Sequence, residues 1–128
     1  RLELLPAGNE TILIVDDDEP IRDLAERILT RAGYRVLTAD NGKVGLDVFT
    51  KARDTIDLVL LDLIMPQMGG KDCLARMLEI DPQVKVVLAT GYHSGEAGTD
   101  PKKLGALALI NKPYEATELV RTIRQFLD

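Results

Sequence analysis

The sequence predicts an α/β domain built on a parallel sheet covered by helices on both faces. Three observations carry this. Short, predominantly apolar runs recur along the chain. Each is followed by a stretch with hydrophobic residues at helical spacing, the alternation expected of strand–helix–strand crossovers. The runs also end in polar residues. A strand that is apolar on both sides has no face to offer water, so helices must cover both.

Residues 11–15, Thr-Ile-Leu-Ile-Val, form the first such run, β-branched and suited to a buried strand. Ile21, Leu24, Ala25, Ile28 and Leu29 then share one helical face. Pro20 fits the first turn of that helix and Gly33 fits its stop. Residues 35–39 read as a second strand. Asp40-Asn41-Gly42 is a turn, and Val44, Val48, Phe49 and Ala52 make the next helical stripe. Residues 58–61 are a third buried strand, ending at Asp62. Gly69-Gly70 opens a helix with Leu74, Met77 and Leu78 inward, and Asp81-Pro82 stops it. Residues 84–89 are a fourth strand ending at Thr90, and residues 107–110 a fifth ending near Lys112. Leu119, Val120, Ile123 and Leu127 mark a last helix. The crossovers are expected to be right-handed.

The chain has 128 residues, enough for one domain with a core that needs no staples. Hydrophobic residues make up 45% and charged residues 29%, a globular balance. A net charge of -5 argues against direct nucleic-acid binding. The single Cys73 cannot form an internal disulfide, and no apolar run approaches the roughly 20 residues of a membrane helix. No signal-peptide pattern opens the chain, so a cytoplasmic location without membrane contact is expected. Residues 1–10 differ in character: Leu2, Leu4 and Leu5 precede the breaker cluster Pro6-Ala7-Gly8-Asn9. They read as a lead-in, and residues 11–128 as the domain.

In open parallel sheets the site lies beyond the carboxyl ends of the strands. Asp16, Asp17, Asp62, Thr90 and Lys112 all stand there. Clustered carboxylates raise one another's pKa unless a cation relieves them. A hard divalent ion with oxygen ligands fits, Mg²⁺ first and Mn²⁺ as an alternative. Phosphoryl transfer needs the phosphoryl oxygens neutralised, and a carboxylate can itself be the nucleophile. Asp62, alone at its strand end, is the candidate nucleophile; Asp16 and Asp17 are paired for the metal; Lys112 and Thr90 suit phosphoryl oxygens.

Each piece has a plainer reading. The run Asp16-Asp17-Asp18-Glu19 on its own is as well explained by helix capping. His93 reads as a solvated loop residue, Cys73 as helix packing, Met65, Met68 and Met77 as core or loop contacts, and Lys102-Lys103 as surface. Only the joint pattern moves Asp62, Thr90 and Lys112 away from such roles.

That pattern resembles the response-regulator receiver domain of two-component signalling. The matching stretches are residues 12–19, Ile-Leu-Ile-Val-Asp-Asp-Asp-Glu; residues 57–66, Asp-Leu-Val-Leu-Leu-Asp-Leu-Ile-Met-Pro; residues 87–91, Val-Leu-Ala-Thr-Gly; and Lys112-Pro113. The resemblance implies a flavodoxin-like (βα)5 sandwich with its five parallel strands in the order 2-1-3-4-5. It implies Asp62 as phosphoacceptor, Asp17 as a direct Mg²⁺ ligand, Asp16 assisting through water, and the Ile64 carbonyl completing the ligand set. Thr90 would take a phosphoryl oxygen, Lys112 would pair with Asp62, and Pro113 would follow a cis bond. Asp18 and Glu19 look like caps of the first helix. The implied donor is a phosphohistidine on a histidine kinase or phosphotransfer protein, and the domain promotes transfer to its own Asp without turnover. A monomer is expected. The Pro/Gly-containing lead-in looks like linkers before C-terminal receivers in hybrid sensor kinases, a context favoured over a stand-alone protein.

Three departures from the family pattern stand out. Leu109 replaces the usual switching aromatic, for which Tyr92 or Tyr114 is a candidate substitute. Residues 93–101 carry two glycines and a proline where the fourth helix belongs, so a short, late or mobile helix near Pro101 to Leu104 is expected. Ile64 and Tyr92, two positions after Asp62 and Thr90, are bulky and unable to orient water, which favours slow self-dephosphorylation. The competing enzyme reading is a haloacid-dehalogenase-type phosphatase, with Asp16-Asp17-Asp18 as its Asp-x-Asp. Pro20, the absence of an acidic pair after Lys112, and the unexplained Asp62 weigh against it. A non-phosphorylated interaction module and a flavin-binding domain are further alternatives. The acidic first loop disfavours the flavin.

Overall fold

A computed structural model describes residues 6–91 and 100–128. Its elements run β1 (Thr11–Val15), α1 (Glu19–Arg31), β2 (Arg35–Ala39), α2 (Gly42–Ala52), β3 (Leu58–Asp62), α3 (Gly70–Ile80), β4 (Val86–Gly91), α4 (Pro101–Leu104), β5 (Ala108–Lys112) and α5 (Ala116–Leu127). The strands form one parallel sheet in the order β2-β1-β3-β4-β5, as expected. β4 and β5 begin one or two residues later than the apolar runs suggested.

Alternation along the strands feeds two cores. Leu13, Val15, Val59, Leu61, Val86 and Leu88 face one way, against Phe49 of α2 and Cys73, Leu74 and Met77 of α3. Ile12, Ile14, Leu58, Leu60, Val87, Ala89 and Ile110 face the other, against Ala25 and Leu29 of α1 and Leu119 and Ile123 of α5. The central strands β1 and β3 are sandwiched between the two layers, so the residues that close them are held by a packed frame.

One helical stripe differs from expectation. Val44, assigned inward, is 42% exposed. α2 instead buries Gly42, Gly45 and Phe49. Gly45 sits directly on Val15, so the helix approaches the sheet through a residue that hydrophobic periodicity does not register. Among the described residues the fourth helix is the short Pro101–Leu104, with Asp100 as its N-cap accepting from the Lys102 amide. Residues 92–99, including Tyr92 and His93, lie outside the described residues.

The end of the lead-in is fastened to the domain. The Gly8 amide donates to the Ala32 carbonyl at 3.0 Å, and Arg35 N–H donates to the Glu10 carbonyl at 2.9 Å. Arg124 of α5 grips the Glu10 carboxylate at 2.6 Å and also reaches the Ala7 carbonyl and the Tyr34 hydroxyl. The hydrogen bond from Arg124 holds the Glu10 carboxyl at about 2, well below its usual 4.5, against the opposing effect of burial. A carboxylate depressed in the folded state contributes stability above its unfolded pKa and loses it as pH falls through the folded value. Glu10→Gln is therefore expected to lower the thermal midpoint at pH 7, with the difference from the native chain shrinking as pH falls from 4.5 toward 2. Paired melts across that window check it.

Candidate phosphoacceptor site

The acidic run after β1 divides its labour. Asp16 continues the strand inward: its amide donates to the Ala39 carbonyl at 3.1 Å and its side chain is 1% exposed. Asp17 is exposed. Asp18 is the N-cap of α1, accepting from the Ile21 amide at 3.3 Å, and Glu19 stands in the acid-favouring first turn. Both capping assignments made from sequence agree with this geometry. Asp18 also donates its amide to Asp16 Oδ1 at 2.9 Å, which closes the turn on the buried carboxylate.

Asp62 ends β3 and is 3% exposed. The β3–α3 connection folds tightly around it. The Leu63 amide donates to the Ala89 carbonyl, and the Gly70 amide to the Leu63 carbonyl, both at 2.9 Å. A Cβ at position 70 would collide with the Asp62 carbonyl, so glycine there lets the start of α3 press against the backbone that carries Asp62. The Ile64 amide points at Asp62 Oδ1 at 3.4 Å, and the Ile64 side chain is 56% exposed at the rim.

Lys112 ends β5, ahead of a cis bond to Pro113. Its Nζ lies 3.0 Å from Asp62 Oδ2 and 3.1 Å from Asp16 Oδ2. Thr90 is buried near the end of β4, directly after Ala89, the register partner of Asp62. Its Oγ1 donates to the Gly91 carbonyl at 3.2 Å, and Gly91 pairs with Lys112. The expected residues thus meet on one rim: Asp16, Asp17 and Asp62 offer oxygens within 4.8 Å of one another, Lys112 bridges two of them, and Thr90 stands on the adjoining strand.

Three carboxylates against one ammonium leave two uncompensated negative charges in this cluster when all are ionised. The consequence is visible at Asp62. Burial, and then the charge of Asp16, push its carboxyl from 3.8 up to about 7, while Lys112 pulls the other way. Burial alone would lower the Lys112 ammonium, but Asp16 and Asp62 hold it above its ordinary value. The donor set is all carboxylate, hard, and doubly short of positive charge, so Asp16, Asp17 and Asp62 fit a divalent cation such as Mg²⁺. Tyr114 lies beside the cluster, buried, its phenol raised by burial and by the charges of Asp16 and Asp62. Leu109 packs against the first core instead of presenting an aromatic ring.

Sequence reasoning missed Arg22. Its Nη1 donates to the Asp16 carbonyl at 2.8 Å. No residue pattern marks a contact whose partner is main chain.

The family described as "Response regulator receiver domain" matches residues 12–124. The chain belongs to that family. This receiver domain of two-component signalling is 40% identical over 119 residues to sporulation initiation phosphotransferase F of Bacillus subtilis, covering 93% of this chain and 94% of that protein. In structure it is similar to a response regulator receiver domain protein from Clostridium thermocellum, with TM-score 0.85, 32% identity, and coverage of 92% and 94% of the two chains. It is also similar to a chain in a CheX–CheY–BeF3–Mg²⁺ complex from Borrelia burgdorferi, with TM-score 0.86, 26% identity, and coverage of 93% and 90%. The family match decides against the haloacid-dehalogenase alternative. Among the described residues, no helix is long and apolar enough to cross a membrane.

Proposed function

We propose that Asp62 is the phosphoacceptor of this receiver and that its donor is a phosphohistidine on a histidine kinase or histidine phosphotransfer protein. The observation that carries this is the position of Lys112 Nζ, 3.0 Å from Asp62 and 3.1 Å from Asp16, beside the open carboxylate of Asp17. An Asp62 oxygen attacks phosphorus, the phosphorus–nitrogen bond to the donor imidazole breaks, and the imidazole leaves as a neutral ring after taking up a proton. Asp16, Asp17, Asp62 and the Ile64 carbonyl are the proposed ligands of a divalent cation, Mg²⁺ or Mn²⁺, which supplies charge neutralisation for the carboxylates and the incoming phosphoryl group. Lys112 holds Asp62 in place before transfer and keeps a positive charge beside the new phosphoryl oxygens afterwards. Thr90 offers a hydroxyl at the end of the adjoining strand. The magnesium named in the Borrelia complex supports the metal assignment, and the phosphotransferase named among the relatives supports the donor class. A cytoplasmic location is part of the same proposal.

The test is transfer itself. A phosphotransfer domain labelled on histidine, mixed with this chain and Mg²⁺, is expected to lose label to it, and excess chelator is expected to stop the loss. Label that stays on the donor with Mg²⁺ present, across a panel of donors, would overturn the proposal.

The exposed Ile64 at the rim suggests a further expected result. It brings no polar group to orient an attacking water, whereas Asn would. Ile64→Asn is expected to shorten the phosphoryl half-life by roughly tenfold, below the 10²–10⁴-fold of a positioned general acid or base, because an amide orients water without taking its proton. A half-life equal to or longer than the native one would count against this role for Ile64.

A further inference from the structure

Arg22 is used by none of the steps above. It is half-buried in the first turns of α1, where a positive charge opposes the helix dipole. Its amide donates to the Asp18 carbonyl at 2.8 Å, and its guanidinium reaches back to the Asp16 carbonyl, also at 2.8 Å. One residue therefore ties both ends of the acidic turn.

The carbonyl it holds belongs to the peptide joining Asp16 to Asp17. The other polar groups of Asp16 are already committed: its amide to Ala39, and its carboxylate to the Asp18 amide and to Lys112. Asp17 is different. It is exposed, and none of the hydrogen bonds among the described residues reaches its carboxylate, so its direction is set by its backbone. A peptide unit is planar, so fixing the Asp16 carbonyl fixes the plane from which the Asp17 Cα and side chain depart. We infer that Arg22 is a positioning residue of the cation site, orienting Asp17 through the Asp16–Asp17 peptide. This rests on Asp17 being a cation ligand, as proposed above.

Two effects of removing Arg22 have opposite signs, which makes the inference decidable. Losing a positive charge near three carboxylates tightens a divalent cation. Losing the hydrogen bond frees Asp17 and weakens it, and partners that orient metal ligands are typically worth 10–100-fold in affinity. Positioning is expected to win, at the low end of that range, because the partner is a single bond to main chain.

The experiment measures Mg²⁺ affinity of the unphosphorylated chain by calorimetry, for the native protein, Arg22→Met, Arg22→Lys and Arg22→Gln. Thermal midpoints in chelator and the Asp17 amide shift are recorded alongside. Arg22→Met is expected to bind Mg²⁺ about tenfold more weakly, with the Asp17 amide shifted and the midpoint lowered by only a few degrees. Lys and Gln, each able to donate one hydrogen bond, are expected to fall between. The Mg²⁺ concentration giving half-maximal phosphorylation by acetyl phosphate should rise in parallel, while the rate at saturating Mg²⁺ returns to near the native value. If Arg22→Met does not fold, Arg22→Gln carries the comparison. Affinity equal to or tighter than native in a folded variant would overturn the inference. Absence of saturable Mg²⁺ binding by the native chain would overturn the metal assignment beneath it, and the two failures are distinguishable.

Discussion

Lys112→Met is expected to reduce phosphoryl acceptance by about 10²–10³-fold, the range seen when one preorganised donor to a developing charge is removed. The same substitution is expected to destabilise the fold. Lys112 Nζ lies between Asp62 and Asp16, which are 3% and 1% exposed. Without it two buried carboxylates face each other. Removing one partner of a buried ion pair costs about 3–5 kcal/mol. The lower end applies here, roughly 3 kcal/mol, because a carboxylate can escape by taking up a proton. That escape sets the pH dependence. With Lys112 gone the carboxyl of Asp62 rises further, so the folded state holds its proton more tightly than the unfolded chain does. Stability is then lost as pH rises through the folded value. Melts of Lys112→Met are expected to lie far below native at pH 8 and to approach native near pH 5. A constant deficit at both pH values would show that Lys112 acts through packing alone.

Asp62→Asn is expected to raise stability in the absence of divalent cations while abolishing phosphoryl acceptance. The Asp62 carboxyl is pushed from 3.8 to about 7, chiefly by burial and then by Asp16. Between those values the folded state binds the proton more tightly than the unfolded chain, so the native protein loses stability as pH rises through that window, and the full penalty stands above it. Asparagine carries no such penalty. A displacement of about three pKa units is worth at most ~4 kcal/mol. We expect a gain of about 2 kcal/mol at pH 8, half of that ceiling, since the amide does not reproduce every hydrogen bond of the carboxyl it replaces. The gain should vanish near pH 4. Saturating Mg²⁺ is expected to narrow the gap at pH 8, because a ligand bound by the folded native chain stabilises it by mass action. Equal denaturation midpoints for the two chains at pH 8 in chelator would show that ionising Asp62 costs the fold nothing.

The sheet and its rim were legible in the sequence because both rest on local pattern. Residues 58–61 read as a strand buried on both faces because the run is short, apolar and set between helical patterns, which puts Asp62 at its end. The same logic placed Asp16, Thr90 and Lys112, and sheet topology did the rest. Val44 was misplaced because α2 meets the sheet through Gly45, and glycine has no hydropathy to mark a buried face. Arg22 was invisible because its partner is a main-chain carbonyl, which every residue carries and no motif displays. The clamp of Arg124 on Glu10 spans 114 positions and joins two surface-type residues, so neither composition nor spacing announces it. Side-chain identity reveals where charge is stored; contacts to backbone and between distant polar residues emerge only once the chain is folded.

The most direct measurement is the intact mass of the chain after incubation with acetyl phosphate and Mg²⁺, taken for the native protein and for Asp62→Asn, each with and without chelator. The expected result is one added phosphoryl group on the native chain with Mg²⁺, and none in the other three samples. An adduct of equal yield on Asp62→Asn, or none on the native chain with Mg²⁺, would contradict Asp62 as the phosphoacceptor.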